Sequence, residues 1–297
     1  MAVLKKKTTL VHHISYMGIM AAINLIFIVL ATYLPFLMFL LILVLPFVST
    51  IVSYYCLKRY YIIYALASIG LCFIFNINDT IFYVVPAIIT GFVIGLLLEK
   101  RVNPFWLILT SSIIESALTF AFIPLINLIG NVDIVNTFLS IFKLESFTYK
   151  TELTYLFIYF ISLVQCGLTH FILLSDAKKI GIEVNTSINS FAPFIIGNEI
   201  AILLCLIFSF IYAPLSFFFV AVSIYFSLFL LIDIFMSKKI LNYVLLGVLF
   251  FASFLVFAIF YTRIIAPFGL LLMVLFSLSI IVISFMNNYL LNKKSNI

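Results

Sequence analysis

IFYVVPAIITGFVIGLLLEKRVNP, Ile81–Pro104, decides the fold. From Ile81 to Leu98 no residue is charged, and then Glu99, Lys100 and Arg101 arrive together. A helix rises about 1.5 Å per residue, so a run of about 20 apolar residues crosses the hydrocarbon core of a bilayer. The charges that close it belong at the membrane surface. Gly91 and Gly95 lie four apart on one helix face, a step that lets two helices approach closely. The step serves either packing inside the bundle or contact with another subunit.

Similar runs fill the chain on both sides. Before it come Ile14–Leu34, Phe36–Cys56 and the shorter Tyr60–Phe75. After it come Pro104–Ile123, Leu153–Leu174, Phe194–Ile211, Leu215–Met236, Leu241–Tyr261 and Ile264–Asn287. The expected fold class is therefore all-α, a polytopic transmembrane bundle of about ten helices. Composition agrees: 66% of the 297 residues are hydrophobic and 9% charged, with 35 Phe. A soluble domain is about half apolar and a quarter charged, and it needs polar cover that this chain lacks. Lys5, Lys6 and Lys7 before the first run resemble a signal peptide, but apolar runs follow at once, and the first is read as a retained helix.

The net charge of +6 does not point to nucleic acid, because the basic residues form no continuous patch. With the N-terminus inside, thirteen of the sixteen Lys and Arg fall on inner segments: Lys5–Lys7, Lys58, Arg59, Lys100, Arg101, Lys178, Lys179, Lys238, Lys239, Lys293 and Lys294. Lys143, Lys150 and Arg263 remain outside. The positive-inside rule then places both termini in the cytoplasm of a multi-pass protein of the cell membrane. Two connectors are long. Pro124–Glu152, outside, carries Ile134, Val135, Phe138, Leu139 and Phe142 at helical spacing, fit for a short helix at the interface or a lid over an outer cavity. Asp176–Ala192, inside, separates a six-helix part, 1–175, from a four-helix part, 193–297.

Several chemistries have no motif here. No Gly-rich run ends in Lys-Ser or Lys-Thr, and no His-Glu-x-x-His or Gly-x-Ser-x-Gly occurs. No catalytic residue, metal site or cofactor is expected, and Cys56, Cys72, Cys166 and Cys205 read as buried thiols. Polar residues at membrane depth carry the functional argument. A charge there costs roughly 2.5–3.5 kcal/mol on insertion scales. Glu115 lies near the middle of its run beside Ser111, Ser112 and Ser116; Gln165 and Asn24 lie about midway along theirs. Asn24, Glu115 and Gln165 read either as one polar cavity that binds a solute or as separate interhelical hydrogen bonds. Glu199, after Asn198, reads as structural, and His170 and Asp233 near helix ends carry no assigned role. Gly18 and Ala22, next to Ala21, form a second small-x-x-x-small step.

GFVIGLLLEKRVNP (Gly91–Pro104), ISYMGIMAAINLIFIVLATYLPF (Ile14–Phe36), the aromatic-Pro step at Phe191–Phe194 and YTRIIAPFG (Tyr261–Gly269) together resemble the YybS-like family of bacterial membrane proteins. The first six helices are similar to the substrate-binding S subunits of energy-coupling-factor transporters. That resemblance implies a small-molecule solute bound near the outer face. It also implies a transmembrane coupling subunit with paired ATPases, docked through small residues at the positions of Gly18, Ala21 and Ala22. The four further helices depart from the S-subunit pattern and could exclude that partner. The expectation is a transport-related, solute-binding bundle that is not an enzyme. The alternative is a non-transporting scaffold for envelope assembly, division or differentiation, favoured by the extra helices and the Gly91–Gly95 step. An enzyme acting on lipid-linked substrates is a third reading, without paired polar residues at the lipid interface to support it.

Overall fold

The computed structural model describes residues 9–130, 133–141, 149–182, 184–185, 192–236, 244–249, 251–252, 275 and 277–284, without the side chains of 35–43, 134, 138, 141, 176–180, 233, 235 and 236. The two last expected helices, Lys5–Lys7, Lys143, Lys238, Lys239, Arg263, Lys293, Lys294 and the Asp233 side chain lie largely or wholly outside the described residues. Among the described residues nine helices are seen: α1 (Leu10–Tyr33), α2 (Pro35–Tyr55), α3 (Tyr61–Phe75), α4 (Ile77–Glu99), α5 (Pro104–Gly130), α6 (Ile134–Ile141), α7 (Lys150–Ile180), α8 (Ala192–Ile211) and α9 (Ala213–Met236). Among the described residues seven helical stretches are long and apolar enough to cross a membrane, and α2 adds the shorter Val44–Tyr55.

Burial is inverted relative to a soluble protein. His13, Asn24, Ser49, Thr50, Glu115 and Asn198 are inside, while Ile19, Leu66, Ile74, Leu128, Leu203 and Phe218 are exposed. Water would penalise such a surface, whereas lipid solvates it and forces polar groups to pair inward.

Local chemistry explains where helix ends depart from the apolar runs. α1 starts four residues early because Thr9 Oγ1 accepts the His12 N–H at 3.4 Å and caps the helix. α5 starts at Pro104 as expected, with Asn103 Oδ1 accepting the Phe105 N–H at 2.9 Å and Pro in the first turn. It then runs through Pro124 to Gly130, since neighbouring helices in a bilayer can re-satisfy the backbone groups a proline frees. α7 likewise continues to Ile180, so both long connectors shrink. α6 confirms the helical spacing of its segment. Asp133 caps it by accepting from the Asn136 N–H at 3.0 Å, and Leu139 is fully buried.

α4 begins before Ile81. Asn76 Oδ1 accepts the Asp79 N–H at 3.1 Å, and Thr80–Val84 then form one π turn in which the Val85 N–H reaches the Thr80 carbonyl. Pro86 follows directly. Its ring would clash with a carbonyl four residues back in a regular helix, and the wider turn relieves that conflict. At its other end α4 closes with the Arg101 N–H on Leu98 and the Val102 N–H on Leu97, with Arg101 itself at φ 51°. That is a Schellman stop in which a cation fills the place glycine usually takes. The Asn185 amide donates to the Arg101 carbonyl at 3.0 Å, and Lys58 pairs with Glu99 at 2.7 Å.

The described residues divide into two compact units. One lies within Met1–Thr137 and Ile161–Ile188, the other within Phe138–Phe160 and Asn189–Ile297. The core of the first is Met17, Ala21 and Ile28 of α1 with Leu45, Val52, Tyr64, Val84 and Ile88 from α2, α3 and α4. α2 and α4 lie closest. A Cβ on Gly91 would meet the Pro46 carbonyl at 2.8 Å and the Thr50 nitrogen at 2.9 Å, and one on Gly95 would collide with Ser53. The Gly91–Gly95 step is thus used for packing within the unit. Gly18 has open space around it. Gly91→Val should therefore lower the unfolding midpoint in detergent, by about 1–3 kcal/mol in stability. Gly18→Ala should be neutral or stabilising by up to about 1 kcal/mol. Thermal melts of the two variants check the contrast.

Candidate functional site

Asn24 stands on the buried face of α1 and joins α2 and α3 through one tyrosine. Its Nδ2 donates to Tyr64 Oη at 2.7 Å and to Ser68 Oγ at 3.4 Å, and Ser49 Oγ of α2 meets Tyr64 Oη at 2.9 Å. Tyr64 and Ser68 lie one turn apart on α3, so both face the same side. The Asn24 Oδ1 is buried without a partner among the described residues. Nearby, Tyr61 Oη donates to the Ile88 carbonyl at 2.7 Å and Ser53 Oγ to the Phe92 carbonyl at 3.1 Å, tying α3 and α2 to α4.

Glu115 belongs to a second seam, between α5 and α7. It is 2% exposed, and Cys166 Sγ donates to its Oε2 at 3.2 Å. A thiol is a weak donor. The neighbouring hydroxyls do not supplement it, because they turn back on their own helix. Ser111 Oγ donates to the Leu107 carbonyl at 2.7 Å, Ser112 to Leu109 at 3.1 Å, Ser116 to Ile113 at 3.0 Å and Thr119 to the Glu115 carbonyl at 2.9 Å. From α7 a buried polar arc faces inward: Ser162, Gln165, Cys166, Thr169 and His170. His170 Nδ1 and Thr169 Oγ1 are buried with no partner among the described residues. The described partners of Asn24 are Tyr64 and Ser68 and that of the Glu115 carboxylate is Cys166, so these two candidates do not bond to each other or to Gln165.

Among the described residues of the second unit a polar clamp joins α8 to α9. Asn198 of α8 donates to Ser227 Oγ at 2.9 Å and accepts from Ser223 Oγ at 2.6 Å, both on α9. Beside it Gly197 lies under the Phe226 ring, and Phe194 stacks on Phe229 with centroids 4.9 Å apart. Glu199 is exposed on the opposite face. The three small residues of α1 separate: Gly18 and Ala22 are exposed, and Ala21 is 1% exposed in the core.

Three participants escape a search for charged or amide residues. Tyr64 and Ser49 read as ordinary apolar-run residues, and no local signal marks them. Cys166 reads as an inert thiol, although the i, i+3, i+4, i+7, i+8 spacing of Ser162, Gln165, Cys166, Thr169 and His170 marks one polar face. Among the described residues no three His, Cys, Asp or Glu side chains gather to hold a metal ion.

An all-helical bundle with apolar exterior and paired polar seams defines an integral, multi-pass membrane protein. No protein-family model, curated protein or solved structure matches the chain.

Tyr64→Phe should destabilise the first unit by about 1–3 kcal/mol, because Asn24 and Ser49 lose a shared buried partner. Asn198→Ala should cost a similar amount in the second. Denaturant titrations in mixed micelles, read by circular dichroism, check both.

Proposed function

We propose that this protein is a solute-binding component of a membrane transport system, with its site in the first unit. The observation that carries the reading is Glu115, a carboxylate 2% exposed in the middle of an apolar helix whose described side-chain partner is a thiol. An ionised carboxylate at that depth is expensive and marks a solute or ion pathway by default. Gln165, one residue from Cys166, and Asn24, with its unpartnered Oδ1, are the further solute contacts we propose. Glu115 is buried in this conformation, so capture and release require the helices to move, in keeping with a rocking of the first bundle.

The topology we propose has about ten helices with both termini cytoplasmic, in the cell membrane of a bacterium. Arg101, Lys58 and Arg59 then stand at the cytoplasmic surface. The resemblance to the YybS-like family and to S subunits supports a coupling subunit and paired ATPases as the energy source. The exposed Gly18 and Ala22 would form the docking stripe, with Ala21 behind it in the core. The same open stripe also favours the second reading, a scaffold that binds other membrane proteins during envelope assembly, division or differentiation.

Purification from the native membrane in mild detergent, with mass spectrometry of what accompanies the chain, separates these. A stoichiometric coupling subunit with ATPases, or a retained small molecule, is expected for transport. Envelope or division proteins alone would establish the scaffold. Glu115→Gln and Glu115→Ala should abolish retention of the solute while the protein still assembles. Unchanged retention and growth in both would remove Glu115 from the site.

A further inference from the structure

We infer that the group bound at Glu115 carries a single positive charge, and that it is the protonated amine of a small solute with a second polar group. This deepens the solute-binding reading and rests on it. The geometry around the carboxylate is the reason. Glu99, the carboxylate at the end of α4, has Lys58 at 2.7 Å. Among the described residues Glu115 has no such partner; its contact there is the Cys166 thiol at 3.2 Å. The hydroxyl protons that could otherwise solvate it are committed elsewhere, Ser111 to the Leu107 carbonyl and Thr119 to the Glu115 carbonyl. The oxygens of those hydroxyls remain acceptors. The walls of the seam therefore present a carboxyl group and acceptor lone pairs, which suits a donor that is also a cation.

One turn along α7 from Cys166, His170 Nδ1 and Thr169 Oγ1 are buried with no partner among the described residues. Buried polar atoms of this kind cost stability unless something bonds to them. A bound molecule with an ammonium head at Glu115 and a hydroxyl or carbonyl nearby would satisfy both sets. A bare alkali ion shares the charge but not the second group.

The test uses the full-length protein in nanodiscs and follows its thermal unfolding. The probes are ethanolamine hydrochloride, sodium chloride, potassium chloride and neutral ethylene glycol, the salts at equal ionic strength. The expected result is a saturable rise in midpoint with ethanolamine and none with glycol, with half-saturation shifted about tenfold or more in Glu115→Gln. His170→Ala should weaken ethanolamine without creating a response to sodium or potassium. Equal, Glu115-dependent stabilisation by sodium or potassium keeps the positive charge but assigns it to an inorganic ion. Stabilisation by glycol that depends on Glu115 overturns the charge while leaving a solute site in place. No response to any cation in the wild-type protein, or an unchanged response in Glu115→Gln, overturns the inference. Co-purification of a coupling subunit then judges the transport reading by itself.

Discussion

The close approach of α2 and α4 is the constraint on which the first unit depends. It exists because Gly91 and Gly95 bring no side chain to the contact, leaving room for the Pro46 carbonyl, Ser49, Thr50 and Ser53. Ser49 belongs to two systems at once. Its Cβ fills the space against Gly91, and its hydroxyl meets Tyr64 Oη at 2.9 Å. Through Tyr64 the same residue reaches Asn24 of α1, so four helices share one buried point. In a bilayer, helices gain little from hiding apolar surface from one another, and close packing with hydrogen bonds has to hold them together. Both are present at Ser49.

The polar seams differ in how completely they are paired, and that difference separates packing from function. Asn198 uses both ends of its amide, on Ser223 and Ser227. Asn24 uses its nitrogen, and its oxygen has no partner among the described residues. Glu115 sets a carboxyl group against a thiol, with His170 Nδ1 and Thr169 Oγ1 on the facing helix unpartnered among the described residues. A satisfied network rigidifies, whereas an unsatisfied one is costly in a medium of low dielectric. The cost at Glu115 is the physical basis for placing a ligand there.

Helices were legible in the chain because lipid imposes a length and a hydropathy that no other environment demands. Eight of the ten expected runs correspond to α1–α5 and α7–α9, and the last two lie mostly outside the described residues. The ends were less legible. Pro124 reads as a stop and is not one, and Thr80–Val84 reads as a helix start and is a π turn that makes room for Pro86. The first arises from treating proline by its behaviour in water-exposed helices, where the freed backbone groups have no neighbouring helix to answer them, and the second from taking the start of the uncharged run as the start of the helix.

Asn24, Glu115 and Gln165 announced themselves in the sequence, since polar residues at mid-membrane depth are rare enough to need a reason. Their partners did not. Tyr64 lies 40 residues from Asn24, and Cys166 lies 51 from Glu115. Neither pairing follows from local spacing, because which helix faces which is settled by shape, at glycines and serines that carry no charge. The sequence by itself determined that this chain lives in a membrane, where its helices run and which polar groups it buries, because hydropathy is a property of the run alone. Only the tertiary structure decided that Asn198 is paired at both ends of its amide while Glu115 meets a thiol, because pairing depends on the atom presented by another helix.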